Sequence, residues 1–236
     1  MSGVMQLPLD LGHRPALGRE DFLVAPSNEI AVAWIDRWPD WPGPALALYG
    51  PPGCGKTHLC QVWRRLSGAV VIGAATFDSM EPPELLGRSR TCVLDGAGER
   101  LGGDSEHERR LLHLYNMVAE RDGHLLFTGR AAPARWSASL PDLSSRLGAV
   151  TAVELDRPDD ALIEAVLVKL FADRQLRVGV EVIRFLITRM ERSFAAARAI
   201  VAALDHASLA GRRGITVPLA REVLDQHEAA PVMRDE

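Results

Sequence analysis

The chain has 236 residues, 47% hydrophobic and 25% charged, with 27 basic against 31 acidic side chains and a net charge of −4. That length suits one large domain, or one domain with a small appendage, and the composition supplies a sizeable core. The acidic balance argues against a domain whose main business is gripping a phosphate backbone, and no apolar run approaches the ~18 residues that span a bilayer.

Residues 5–11 read MQLPLDL, with Gln6, Leu7, Leu9 and Leu11 set around Pro8. Proline disfavours helix at the residue before it and withholds a backbone donor, so this stretch is expected to be extended. It is either a leader or a first strand whose leucines tuck into the core. It is too short and too interrupted for a signal peptide. A helix is then expected from Ser27 as cap, with Glu29 in its first turn and Trp34 and Trp38 facing inward.

Past the Pro/Trp-rich connection at 37–44 come five short apolar runs: ALALYG (45–50), AVVIG (69–73), TCVLD (91–95), HLLFTG (124–129) and VTAVEL (150–155). Continuous β-rich runs of this kind read as strands buried on both faces of a parallel sheet. Helices are expected over 56–66 and 106–121, with a short turn around 140–145. Alternating strand and helix with right-handed crossovers gives a three-layer α/β domain. After Pro158 the pattern changes to four helical stretches without a good strand. In one of them Phe194, Ala197, Ile200, Val201 and Leu204 share a face that must bury against partner helices. Cys54, Cys60 and Cys92 form no metal-type cluster and cannot all pair, which fits a reducing cytoplasm.

The chemistry concentrates in GPPGCGKT (50–57), which matches G-x-x-x-x-G-K-[ST] between a hydrophobic strand and a helix. Glycines let backbone N–H groups curl around phosphates, and the helix N-terminus adds a favourable dipole. Lys56 is placed to reach the β- and γ-phosphates, and the Thr57 hydroxyl to ligate Mg²⁺. TCVLD ends on Asp95, a metal-organising acid at the tip of a neighbouring strand. The next residue is Gly96, where ATPases of the AAA+ class usually carry the acid that orients the attacking water. Losing that group slows hydrolysis while sparing binding, since other residues hold the phosphates. Glu99 lies nearby in DGAGE, with no sequence reason to expect it in that role.

These segments resemble the DnaA/Hda family of AAA+ proteins. DFLVAPSNEIAVAWID (21–36) looks like the family's base-side segment, while GPPGCGKTHL and LPDLSSRL (140–147) resemble its Walker A and arginine-finger boxes. MERSFAAARAIVAALD (190–205) is similar to its lid helix, with Arg192 at the sensor 2 position. The resemblance spans roughly residues 20 to 228. It implies an extended leader over 1–19, an α/β AAA+ domain over 20–157 and an all-α lid over 158–236. ADP or ATP with Mg²⁺ is the implied cofactor. Gly50, Pro51, Pro52, Gly53, Cys54, Gly55, Lys56, Thr57, His58 and Arg192 are the implied contacts, with Thr57 and Asp95 at the metal, Asp95 through water. Thr128 falls in the sensor 1 region, although Gly129 stands where DnaA relatives usually carry an acid.

DnaA continues beyond its lid into a helix-turn-helix domain, whereas this sequence stops at Glu236, so no sequence-specific DNA-binding domain is expected. A DnaA-like module with a leucine-rich leader resembles the family's regulatory inactivators of DnaA. Their leader binds the sliding clamp, the β subunit of DNA polymerase, through a QLxLxL motif that Gln6, Leu7, Leu9 and Leu11 fit. The resemblance thus implies a cytoplasmic negative regulator of replication initiation, with weak ATPase activity of its own and homo-oligomers possible. Arg146 would act in trans as an arginine finger on DnaA. The rival expectations are a DnaA-like binding adaptor and an active AAA+ remodelling factor.

Overall fold

The computed structural model describes residues 23–101 and 105–229; Gln6, Leu7, Leu9 and Leu11 lie outside them. Five strands form one sheet: β1 (Ala45–Tyr49), β2 (Val70–Ile72), β3 (Thr91–Leu94), β4 (His124–Gly129) and β5 (Thr151–Glu154). Their order is β2-β3-β4-β1-β5, and every pairing is parallel. The crossovers carry α2 (Lys56–Ser67), α3 (Ala74–Ser79), α4 (Pro82–Leu86), α5 (Ser105–Glu120) and α6 (Pro141–Ala149), and α1 (Glu29–Asp36) precedes the sheet.

The continuous apolar strands are explained by two cores, one on each face. Leu46, Leu48, Val93, Leu126 and Val153 pack against Ala31 and Ile35 of α1 and Leu59 and Trp63 of α2. Alternate residues Ala45, Ala47, Cys92, Leu94, Leu125 and Phe127 meet Leu111 and Leu114 of α5 and Leu143 and Leu147 of α6. Burying each large side chain contributes about 1.5–3 kcal/mol, and the period-2 alternation fixes the register. The result is three layers.

Two local expectations are corrected. Asn28, not Ser27, stands at the N-cap of α1, and its side chain turns back rather than capping. Its Oδ1 accepts from the Ala25 N–H at 2.9 Å and its amide donates to the Leu23 carbonyl at 3.0 Å, pinning the segment before the helix. Ala31, Val32 and Ile35 form the inward face; Trp34 is half-buried and Trp38 lies past the last turn. Trp38 and Trp41 seal the core against Trp63, with Trp41 stacked on it at 5.2 Å between ring centroids.

Beyond β5 the chain is helical: α7 (Asp160–Asp173), α8 (Val180–Ile187), α9 (Phe194–Gly211) and α10 (Val217–Ala229). They share a core of their own, in which Leu167, Phe171, Val182, Leu186, Ala197, Val201 and Leu219 are buried. Asp159 caps α7 by accepting from the Leu162 N–H at 2.7 Å, and Ser193 caps α9 through Ala196 at 3.1 Å. Such caps are each worth about 1 kcal/mol. No helix among the described residues is long and apolar enough to cross a membrane.

Candidate nucleotide-binding site

The loop 50–55 joins β1 to α2, and the N-cap of α2 is Gly55, which has no side chain to cap the helix. The first N–H groups of α2 and the helix dipole are oriented for an anion. Gly53 and Gly55 adopt positive φ, +76° and +108°, and both lie tight against the start of α9. A Cβ on Gly53 would stand 2.4 Å from that of Ser193, and one on Gly55 would stand 2.9 Å from the Phe194 ring. The Phe194 N–H donates to the Gly53 carbonyl at 3.3 Å. The lid helix therefore rests directly on the loop. Lys56 Nζ lies inside the same loop, donating to the carbonyls of Gly50 at 2.8 Å and Pro51 at 3.0 Å.

Three residues far apart in sequence meet at the β3–β4 edge. Thr57 Oγ1 donates to Asp95 Oδ2 at 3.0 Å, and the Thr128 hydroxyl donates to Asp95 Oδ1. Thr128 in turn accepts the Gly96 N–H at 2.7 Å. Both carboxylate oxygens of Asp95 are thus engaged, one by the loop threonine and one by β4. Gly96 has φ +75° and opens a single 3₁₀ turn, Ala97–Arg100. Glu99 in that turn pairs with Arg130 at 3.7 Å. Among the described residues no cluster of three or more His, Cys, Asp or Glu could hold a metal unaided. Thr57 and Asp95 present the hard oxygen donors that Mg²⁺ takes when phosphates supply the rest.

Packing leaves no space for a side chain at Gly129. The Trp136 indole, whose Nε1 donates to the Ala131 carbonyl at 2.9 Å, lies 2.8 Å from where a Cβ on Gly129 would stand. The same ring comes within 2.6 Å of a Cβ on Gly98, so one tryptophan covers both glycines. An acid at position 129 has no room.

Beside the loop lies a cavity of about 270 Å³, lined chiefly by Leu23, His58, Leu162, Val166, Leu170 and Phe194. Leu23 comes from the segment ahead of α1, His58 from α2 and the others from the lid. An apolar slot with a few polar groups, next to a phosphate loop, suits a purine ring. Arg192 stands just before α9, more than half exposed, and pairs with Asp160 at the start of α7 through contacts of 2.7 and 3.1 Å. Cys54 is buried in the loop. Burial pushes the thiols of Cys60 and Cys92 up, so neither is a nucleophile.

Arg146 lies on the exposed face of α6, its guanidinium 5.4 Å from the Tyr115 ring centre. Sequence reasoning missed what holds that helix. Glu108 of α5 is fully buried, and its carboxylate accepts from the Ser139 and Leu140 N–H groups at 2.9 Å and from the Ser139 hydroxyl at 2.8 Å. Such charge-assisted bonds are roughly twice as strong as neutral ones, and they fix the entry to α6. Nothing in SEHERR marks Glu108 as the buried member of its charge run. Leu162 and Val166 of the cavity were equally silent, since they read as ordinary core positions, whereas Leu23 and His58 lie in segments that the resemblance assigned to the nucleotide.

Comparisons with known proteins agree with this geometry. The model of the Hda lid-domain family matches residues 160–224. An uncharacterized protein of Haemophilus influenzae is 28% identical over 196 residues, covering 77% of this chain and 82% of its own length. Domain III of the Thermotoga maritima replication initiation protein DnaA superposes with a TM-score of 0.76 at 18% identity, covering 87% of this chain and 94% of that one. AMPPCP-bound DnaA from Aquifex aeolicus gives 0.68 at 17% identity, covering 89% and 69%. The fold is the α/β AAA+ fold with an all-α lid, as in DnaA domain III, and residues 160–224 of that lid match the Hda lid domain.

Proposed function

We propose that this chain is a nucleotide-bound regulator of DNA replication initiation that supplies Arg146 to a neighbouring DnaA–ATP molecule. The observation that carries the reading is the exposed guanidinium of Arg146, on a helix anchored by buried Glu108 and with no carboxylate partner among the described residues. A charge left unpaired on a fixed helix suits a site completed by another molecule. There a guanidinium stabilises charge developing on the transferred phosphoryl group, worth on the order of 10³–10⁵ in rate.

The chain's own nucleotide, ADP or ATP, keeps the module in its docking form. Lys56 and the loop N–H groups would hold its phosphates, Thr57 and Asp95 its Mg²⁺, and the cavity beside His58 its base. The bound AMPPCP of the Aquifex DnaA relative supports that reading. Gln6, Leu7, Leu9 and Leu11 would tether the protein to the DNA-loaded sliding clamp, so that inactivation follows the replication machinery in the cytoplasm. With Gly96 at the position after Asp95, intrinsic hydrolysis is slow.

The test is DnaA's ATP hydrolysis in the presence of DNA-loaded clamp and this protein, as wild type, Arg146→Ala and Gln6→Ala. Acceleration by wild type, lost in both variants, is expected. No acceleration by wild type overturns the reading; acceleration surviving in Gln6→Ala removes the clamp tether alone.

A further inference from the structure

We propose that Glu99 is the acid that orients water for hydrolysis of this chain's own bound ATP, filling the place that Gly96 leaves without a side chain. The proposal rests on the nucleotide-binding reading above. Asp95 is committed elsewhere: in the reading above it organises Mg²⁺, and its two carboxylate oxygens also accept from Thr57 and from Thr128. Gly96 cannot take the role, having no side chain, and its φ of +75° is a conformation that L residues rarely adopt.

The 3₁₀ turn then brings an acid back to the same spot. Glu99 Oε2 lies 3.6 Å from the point where a Cβ on Gly96 would stand, and among the described residues no other heavy atom outside its chain neighbours lies within 4 Å of that point. That separation matches the reach of a glutamate carboxylate from its own Cβ. Glu99 therefore delivers a carboxylate to the neighbourhood of residue 96 from three positions further along the chain. Two contacts hold it there. Trp136 packs on Gly98 and fixes the turn from behind, and Arg130 at the end of β4 pairs with the carboxylate at 3.7 Å. The Glu99 side chain is 33% exposed, so water reaches it.

In the step this assigns, a water held by Glu99 attacks the γ-phosphorus. The new P–O bond forms as the β–γ bridging P–O bond breaks, and the electron pair leaves with ADP. The water's proton passes to the Glu99 carboxylate and from there to the released phosphate. An acid reaching in from a separate turn, and shared with Arg130, is a slower device than one on the strand end.

The test uses the full chain with Mg²⁺ and radiolabelled ATP in single-turnover mode, beside equilibrium binding of a fluorescent ADP analogue and thermal melting. Wild type should convert its bound ATP to ADP. Glu99→Gln should slow that conversion by about 10²-fold or more, the range for a positioned general base, with analogue affinity and melting temperature unchanged. Glu99→Asp should fall between the two. Conversion by Glu99→Gln at the wild-type rate overturns the assignment, as does wild type that binds the analogue and leaves ATP intact. Wild type that binds no analogue sinks the nucleotide-binding reading itself, and the assignment with it.

Discussion

At the β3–β4 edge the hydroxyls of Thr57 and Thr128 both end on Asp95, whereas on α6 the Arg146 guanidinium lies over Tyr115 and meets no carboxylate among the described residues. The first region satisfies its polar groups internally, with Thr128 only 1% exposed. The second spends its buried carboxylate, Glu108, on backbone N–H groups and leaves the cation outside. A closed polar network is engaged within the molecule, whereas a cation held at the surface over a tyrosine ring stays available to another molecule. The two regions should therefore fail separately when mutated.

The sharpest way to break the comparison is Arg146→Ala. Stimulation of DnaA hydrolysis should fall on the order of 10³-fold or more, with the chain's own affinity for a fluorescent ADP analogue unchanged. A joint loss would show that α6 and the loop are one unit. Lys56→Ala is the converse: analogue affinity should weaken about 10- to 100-fold, the worth of a charge-assisted contact of roughly 1.5–3 kcal/mol. Thr128→Val probes the network alone. It leaves the Gly96 N–H without its acceptor, so urea unfolding should show a loss of about 1–3 kcal/mol, with Arg146-dependent stimulation retained.

The smallest effect lies far from both regions. Burial lowers the pKa of His124 from its ordinary 6.5, with a hydrogen bond at Pro39 opposing in part. The folded state then binds fewer protons than the unfolded one. Its contribution to stability is whole above pH 6.5 and is lost as pH falls through the depressed folded value. Melting temperature below pH 6.5 should drop less steeply in His124→Gln than in wild type, and Arg146 and Lys56 functions should not respond.

What was legible in the sequence was whatever local pattern determines. The five strands showed as continuous apolar runs because both faces of the sheet are covered. The phosphate loop showed because its glycines and Lys56 must be contiguous for one backbone to wrap an anion. α3 and α4 did not show, since helices of six and five residues carry too little periodicity. Nor did Glu108 and Trp136. Glu108 meets Ser139 across 31 positions of sequence, and Trp136 covers Gly98 and Gly129 from another segment. A carboxylate destined for burial reads like its solvated neighbours until the fold selects it. The same holds for Glu99, which only the turn after Gly96 returns to the strand end.

The contact of Ser193 and Phe194 with Gly53 and Gly55 reaches further than packing. A lid helix that touches the loop glycines shares one mechanical coordinate with the phosphate grip. A tilt of α9 away from the loop would break the Phe194–Gly53 hydrogen bond, and a tightening of the loop would draw on the same contact. Nucleotide exchange and lid angle are then a single lever read from two ends. A partner that held α9 at one tilt would then, in the nucleotide-bound form proposed above, set how fast the nucleotide leaves.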